Sequence, residues 1–320
     1  MIPPVPIPNV LAFNVQAYHY LRSILHKEKD MMVDIQHVHL SPVVNLIRKS
    51  VGRLRLSITL NGTEEGLARA SDSASLLTPL TRSLERQAIH LSDRVIAVSN
   101  TLKREVVSYY SVNATRVNVI QNGIDLNEFD STPAHQEFEI GLAADTLMLY
   151  VGGSSPRKGL GTLLRALHKV KSQRFGLVVT GPGTTSSYRG FSELIRELQL
   201  ENRIVILPPL SREKLLSLYQ RCDVFVHPSL YEGLSLALLE AMASRLPIVA
   251  SAIGSSVEAL GSNGLLFPPG NERVLATCIE LLLSDSTLRR EYGNRVYQSV
   301  ARYDWKRLAK EYSNLMAAAV

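Results

Sequence analysis

Two carboxylates stand eight positions apart in the stretch YEGLSLALLEAMA, which runs from Tyr231 to Ala243. Glu232 precedes a glycine, and Glu240 sits inside an almost wholly apolar run. An ionised carboxylate that leaves water without a partner is strongly destabilising. Something positive, or rich in hydroxyls, must therefore face this segment. Glu240 could accept two hydroxyls, such as the diol of a ribose. The alternative is an ion pair with a neighbouring Arg or Lys.

A second stretch, GGSSPRKGLG from Gly152 to Gly161, places two cations, Arg157 and Lys158, among glycines. Gly152 and Gly153 let backbone approach a ligand closely, and the cations suit charge-assisted contacts to phosphate. A solvated basic turn is the other reading. The stretch is not a P-loop, and the dinucleotide fingerprint is absent in proper phase. TGPGTTSS, with Gly181, and LPPLSRE are two further loops of the same kind. Gly233, Leu234 and Ser235 are expected to open a helix whose free N–H groups and dipole favour an anion. Together these loops point to an anionic, hydroxyl-bearing ligand such as a nucleotide.

The elements that must position these residues follow from periodicity. From Leu147 onward, LMLYVGG, FGLVVTG, RIVIL, DVFVHPS, PIVAS and GLLFPP read as six strands. Helices alternate with them, including SREKLLSLYQRC with Ser211 as N-cap. Short apolar strands alternating with helices predict a parallel sheet covered on both faces. In such sheets ligands bind beyond the carboxyl ends of the strands, where the four loops lie. A thinner α/β unit precedes it. Its strands are VDIQHVH, LRLSITL, RVIAV and RVNVI, with helices at PVVNLIRKS, LLTPLTRSLERQAIHL and NTLKREVVSYY. The aperiodic NEFDSTPAHQEFEIGLAAD reads as an interdomain link. The C-terminal STLRREYGNRVYQSVARYDWKRLAKEYSNLMAAA reads as helix, broken near Tyr303–Asp304.

The net charge of +6 is a mild basic excess, compatible with solubility or with attraction to an anionic ligand or membrane. No basic run suggests a nucleic-acid tail. Cys222 and Cys278 form no C-x-x-C pair, which argues for a reducing compartment and against a zinc ribbon or disulfide framework. No apolar run could span a bilayer, and MIPPVPIPNV lacks the features of a signal peptide. These observations predict a cytoplasmic protein, with peripheral contact at the inner membrane face.

The combined motifs resemble a family. YEGLSLALLEAMASRLPIVAS is similar to the E-x7-E segment of the retaining glycosyltransferases of family four, which have the GT-B fold. RVIAVSNTLKREVV, VIQNGIDLNEF, YVGGSSPRKGLGTLLRAL, LYQRCDVFVHPS, GLLFPPGN and YDWKRLAKEY follow in the family's order. The resemblance implies an α/β protein of two Rossmann-like domains. An acceptor-side domain would cover 1–130, a linker 131–145, a donor domain 146–302, and a helix returning to the first domain 303–320. It implies transfer of a sugar from a nucleotide-diphosphate donor to a glycan, lipid-linked or small-molecule acceptor, with retention. Lys158 would neutralise the donor diphosphate, and Glu240 would hold the ribose hydroxyls. Glu232 would contact the transferred sugar near the reacting centre. Gly233, Leu234 and Ser235 would donate backbone N–H bonds, and Leu210 would lie near the base. No cofactor or metal is expected beyond the nucleotide-sugar co-substrate, and there is no Asp-x-Asp.

Three departures qualify the resemblance. Where the family often has an arginine, this chain has Gly153, and Arg157 is the candidate replacement. Where the family often has a histidine near the sugar, this chain has Asn61, which bonds hydroxyls but carries no proton. The family's opening strand and glycine-rich turn have no counterpart, which predicts a truncated first domain and association through its incomplete sheet. His37 and His39 share a strand face. A metal pair is one reading of them, and a strand end on the acceptor side of the cleft is the stronger one. His227 ends a donor-domain strand, and Trp305 is expected to pack. The competing functional reading is a nucleotide-sugar-binding subunit that is catalytically impaired or dependent on a partner.

Overall fold

The computed structural model describes residues 32–35, 55–70, 78–131, 140–172, 174–181 and 188–318. The chain divides into two compact units. One comprises Met1–Gln121 with Tyr312–Val320, and the other Asn122–Glu311. None of the described helices is long and apolar enough to cross a membrane.

The first unit carries a parallel sheet in the order β1 (Met32–Ile35), β2 (Arg55–Leu60), β3 (Arg94–Ala97), β4 (Val117–Val119). All four strands coincide with stretches expected from the sequence. Around them lie α1 (Glu64–Ala70), α2 (Thr78–Leu91) and α3 (Asn100–Tyr110). Helix α3 starts where the Ser99 side chain accepts the Leu102 N–H, satisfying one of the orphan donors of the first turn. It buries Leu102, Val106 and Tyr110 at i, i+4 and i+8, one face of the helix. Helix α1 was not expected. Its signal was local: Thr63 caps the Gly66 N–H at 2.9 Å, and Glu64 and Glu65 favour the positive end of the dipole. The expected helix PVVNLIRKS, and His37 and His39, lie outside the described residues.

The second unit is a six-stranded parallel sheet in the order β10-β9-β8-β5-β6-β7. Its strands are β5 (Thr146–Val151), β6 (Phe175–Thr180), β7 (Ile204–Ile206), β8 (Val224–His227), β9 (Ile248–Ser251) and β10 (Leu265–Phe267). These are the six expected strands. Strands β6, β8 and β9 are buried at every position, the signature of a sheet covered on both faces. The helices are α4 (Leu126–Ser131), α5 (Leu160–Lys169), α6 (Arg189–Glu197), α7 (Arg212–Arg221), α8 (Leu236–Ala243), α9 (Gly254–Leu260), α10 (Glu272–Ser284) and α11 (Ser286–Val300), and α12 (Trp305–Ala317) begins in this unit and ends in the first. Helix α4 occupies the start of the stretch expected to be an aperiodic link. Asp125 supports it by accepting the Asn127 N–H at 3.1 Å. A 3-10 turn, Ala301–Tyr303, makes the expected break before α12. Trp305 is 57% exposed, so its ring contributes less packing than expected.

One device recurs in both sheets. Asp93, just before β3, accepts the Leu56 N–H at 2.9 Å and donates its own N–H to Leu56 O at 2.8 Å. Asp223, just before β8, does the same with Leu147, both bonds being 2.7 Å. Each aspartate locks the start of one strand to the start of its neighbour and thereby fixes the register.

Helix α8 ends on Arg245 in the left-handed region (φ 58°), with the Arg245 N–H on Met242 O and the Leu246 N–H on Ala241 O. The Arg245 carbonyl then faces Gly293 of α11 so closely that a Cβ there would collide with it. In an exposed helix, Gly→Ala gains about 1 kcal/mol. Here Gly293→Ala is expected to lose about 1–3 kcal/mol by overpacking, read from urea unfolding midpoints.

In the first unit Glu85 is 2% exposed. It accepts the Tyr110 hydroxyl and, at 2.8 Å, the Glu64 N–H. Burial pushes its carboxyl up from 4.5 to about 7, against the pull of these two hydrogen bonds. A raised folded-state value means that the native state holds this proton more tightly than the unfolded chain. The contribution is complete below 4.5 and is lost as pH rises to about 7. Glu85→Gln keeps both acceptor contacts and removes the titration. Its melting temperature, relative to the parent, is expected to rise across that window.

Candidate functional site

The chain runs from β5 to β6 on one side of the sheet and returns to β8 on the other side of β5. That reversal opens a crevice beyond the carboxyl ends of β5 and β8. The two loops leaving those ends, Gly152–Gly159 and Pro228–Ser235, form the site.

The first loop is clamped by backbone. The Gly152 N–H bonds Thr180 O at 2.8 Å, and the Tyr188 hydroxyl donates to Gly152 O at 2.8 Å. Gly181, at the end of β6, lies against Gly152 so closely that a side chain at Gly181 would strike its carbonyl. The Tyr150 hydroxyl donates to Gly153 O at 3.1 Å. A 3-10 turn, Pro156–Lys158, ends at Gly159 in the left-handed region (φ 72°), where a Cβ would collide with Pro228 O. Only glycine lets the first loop press onto the second in this way.

That contact brings Arg157, Lys158 and Glu232 together, as their chemistry in the sequence suggested. The Leu230 N–H bonds Arg157 O at 2.7 Å, and Arg157 Nη1 donates to Tyr231 O at 2.8 Å. Glu232 Oε1 accepts Lys158 Nζ at 2.6 Å and Ser229 Oγ at 3.0 Å, with Arg157 Nη1 also at 3.0 Å. Ser255 Oγ donates to the Glu232 carbonyl at 2.9 Å. All the side-chain contacts use Oε1, and no described residue bonds Oε2. Burial raises the Glu232 carboxyl, but Lys158, His227 and Arg157 together outweigh it, and the group is held below its ordinary range. His227, 3% exposed, is pushed down to about 4 by burial, with Lys158 and Arg157 adding to the shift and Glu232 opposing it. It is therefore neutral at pH 7, where the two cations alone hold Glu232 ionised. His227 Nε2 is buried without a hydrogen-bond partner among the described residues.

Glu240, 9% exposed, lies on α8. Arg212 Nη1 pairs with Glu240 Oε1, and the Tyr219 hydroxyl donates to Oε2 at 2.9 Å. Arg212 also grips Glu128 of α4 in a fork, Nε to Oε1 at 2.9 Å and Nη2 to Oε2 at 2.7 Å. A carboxylate offers about four lone-pair sites, so both oxygens can still accept a hydroxyl each. Arg212, Tyr219 and Glu128 escaped the sequence reading. Arg212 stood in the quoted LPPLSRE loop, but its partner is 28 residues away. Leu210 is half-buried in that loop, between β7 and α7. Gly233, Leu234 and Ser235 are buried and precede α8 rather than opening it, Ser235 being its N-cap. Leu234 O accepts Asn122 Nδ2 at 2.9 Å. Asn61 is exposed in the bend after β2 of the first unit, and His39 lies outside the described residues.

Comparison with known proteins places this geometry in a family. Residues 135–299 match the family model "Glycosyl transferases group 1", and residues 2–128 match "Glycosyltransferase Family 4". An uncharacterized glycosyltransferase of Methanocaldococcus jannaschii is 31% identical over 90% of this chain and 76% of its own length. The chain spans 52–61% of the length of several further curated relatives. Among solved structures, sucrose-phosphate synthase from Thermosynechococcus elongatus has a TM-score of 0.86 at 22% identity, over 99% of this chain and 80% of that one. Anabaena HepE in complex with UDP-glucose has a TM-score of 0.77 at 21% identity, over 93% and 81%. These structural likenesses show the α/β, GT-B fold. The family match over more than half of the sequence and the M. jannaschii relative go further: the chain belongs to the group 1 glycosyl transferases.

Proposed function

We propose that this chain transfers a sugar from a nucleotide-diphosphate donor to a hydroxyl acceptor, with retention at the anomeric carbon. The observation that carries the reading is the convergence of Lys158 and Arg157 on one oxygen of Glu232, in the crevice beyond β5 and β8. That cluster has two positive charges against one negative. The Arg212 cluster has the opposite balance, one guanidinium between Glu128 and Glu240. A ligand with phosphates at one end and a diol at the other fits this polarity. HepE, of the same fold, is known in complex with UDP-glucose.

In the proposed reaction the bond from the anomeric carbon to the diphosphate oxygen breaks as the acceptor oxygen bonds that carbon. Negative charge develops on the departing diphosphate oxygen, which takes up the proton that the acceptor hydroxyl loses. Lys158 has N–H groups beyond the one given to Glu232, and with Arg157 it would meet that charge. Preplaced donors of this kind are a large source of rate enhancement. Glu232 Oε2 would accept a hydroxyl of the transferred sugar, and Glu240 the ribose diol. Binding without transfer is the second reading, favoured by Asn61 standing where a proton carrier is expected. Product formation from the bound donor separates the two.

Calorimetric titration with UDP, GDP, ADP and their sugars tests the reading directly, and no binding by the folded chain would sink it. Glu240→Ala is expected to weaken the preferred nucleotide by about 1–3 kcal/mol. The same change should leave the 2′,3′-dideoxy analogue nearly unaffected, and equal losses on both would remove Glu240 from the ribose. Lys158→Met strips a cation from a carboxylate that stays buried. At pH 7 it is expected to lower unfolding stability by roughly 1–3 kcal/mol. The lowered value of Glu232 stabilises the fold above 4.5 and stops doing so as pH falls through the folded-state value. The deficit of the variant should therefore shrink in acid, as followed by denaturant unfolding at several pH values.

A further inference from the structure

The first unit contains a pocket that the donor chemistry does not use. Helices α1 and α2 and the last turn of α3 enclose about 650 Å³, within the range of small-molecule sites. Arg69, Arg82 and Arg86 line it, together with a single carboxylate, Glu65, and with Tyr109 and Tyr110. Arg82 and Arg86 are four apart on α2, and Glu65 and Arg69 are four apart on α1. Each pair therefore shares a helix face.

The guanidinium groups are held in place by the protein. Arg69 Nε bonds Glu65 Oε1 at 2.9 Å, and its guanidinium carbon lies 4.6 Å from the centre of the Tyr109 ring. Arg86 Nη2 donates to Tyr109 O at 3.1 Å, and its guanidinium lies 5.6 Å from the Tyr110 ring centre. Arg82 is different. Its Nε is 3.2 Å from Glu65 Oε2, yet it is shielded from water and makes no aligned hydrogen bond. The side chain as a whole is 40% exposed, so its terminal N–H groups are within reach of an anion in the pocket. The cluster already stabilises negative charge. The Arg69 hydrogen bond pulls the Glu65 carboxyl down against the opposing effect of burial, and Arg82 and Arg86 add to the pull.

Three guanidiniums and one carboxylate line the pocket, and Glu105 adds a second acid that acts on Arg69, so the excess charge is positive. Forks arriving from two helices suit an anion with several oxygens in different directions, which phosphate has and a single carboxylate lacks. Each tyrosine ring already carries one of the guanidiniums. We propose that this pocket binds a small phosphate-bearing anion through Arg69, Arg82 and Arg86, independently of the donor site. The anion is either a free phosphate ester or a phosphate headgroup at a membrane surface.

The test is calorimetric titration of the full chain with inorganic pyrophosphate, comparing the parent with Arg82→Gln, Arg82→Lys and Lys158→Met. The expected result is a site weakened about tenfold or more by Arg82→Gln, and partly restored by Arg82→Lys. Lys158→Met should leave this site unchanged, which separates it from any binding at the donor loop. Melting curves establish that the variants fold, and Arg82→Lys, which keeps the stem and the charge, serves if the glutamine variant does not. Pyrophosphate binding that is absent, or indifferent to both Arg82 variants, overturns the proposal. Sedimentation with phosphatidylglycerol and phosphatidylcholine vesicles distinguishes the sources. Association with the anionic vesicles that pyrophosphate displaces and Arg82→Gln abolishes assigns a headgroup. Pyrophosphate binding with no vesicle association assigns a free ester.

Discussion

Everything at the candidate site depends on how β5 is held against β8. The ladder between these strands is short, pairing Met148 with Val224 and Leu149 with Phe225. Two further sets of bonds extend it. At the start, Asp223 exchanges two bonds with Leu147; beyond the end, Leu230 bonds Arg157 and the two cations reach Glu232. A slip of one residue would turn every side chain on a strand to the opposite face. It would separate Lys158 from Glu232 and mispack side chains on both covered faces of the sheet. The register that builds the core is thus the register that assembles the site.

Much of this was legible in the sequence, and the reason is physical. The strands of the second unit are continuous apolar runs because both of their faces are covered, and such runs stand out from their flanking turns. The loops at their carboxyl ends carry the glycines and the charges, so Arg157, Lys158 and Glu232 could be named as candidates. What could not be read was who touches whom. Arg157 and Glu232 are 75 positions apart, and Arg212 and Glu128 are 84 apart. Nothing local records such pairings. Helix α1 was missed for a different reason. It is only seven residues long, too short for periodicity to show, and only its cap and first-turn acids mark it.

The glycines of the site illustrate a related limit. In GGSSPRKGLG the glycines suggested close approach of backbone to a ligand. In the structure Gly152 and Gly159 are also places where backbone meets backbone, against Gly181 and Pro228. The loop is packed, and its two cations are presented from a fixed turn. Fixed donors give up less freedom when a ligand arrives, which favours both binding and charge stabilisation during reaction.

Glu85 and Glu232 show what such cations accomplish. Both are carboxylates in protein interior, and burial raises both. Glu85 has two hydrogen-bond donors and, among the described residues, no cation against it, and burial wins, taking it to about 7. Glu232 has two cations within 3.0 Å, and burial loses. Hydrogen bonds from neutral groups contribute less than those from charged ones, and here that difference decides the protonation state. Glu85 can serve as a partly protonated structural link between α1, α2 and α3. Glu232 is kept as a pure acceptor, with Oε2 uncommitted among the described residues. Arg157 and Lys158 thus do part of their work within the fold itself, by keeping the buried carboxylate beside them ionised.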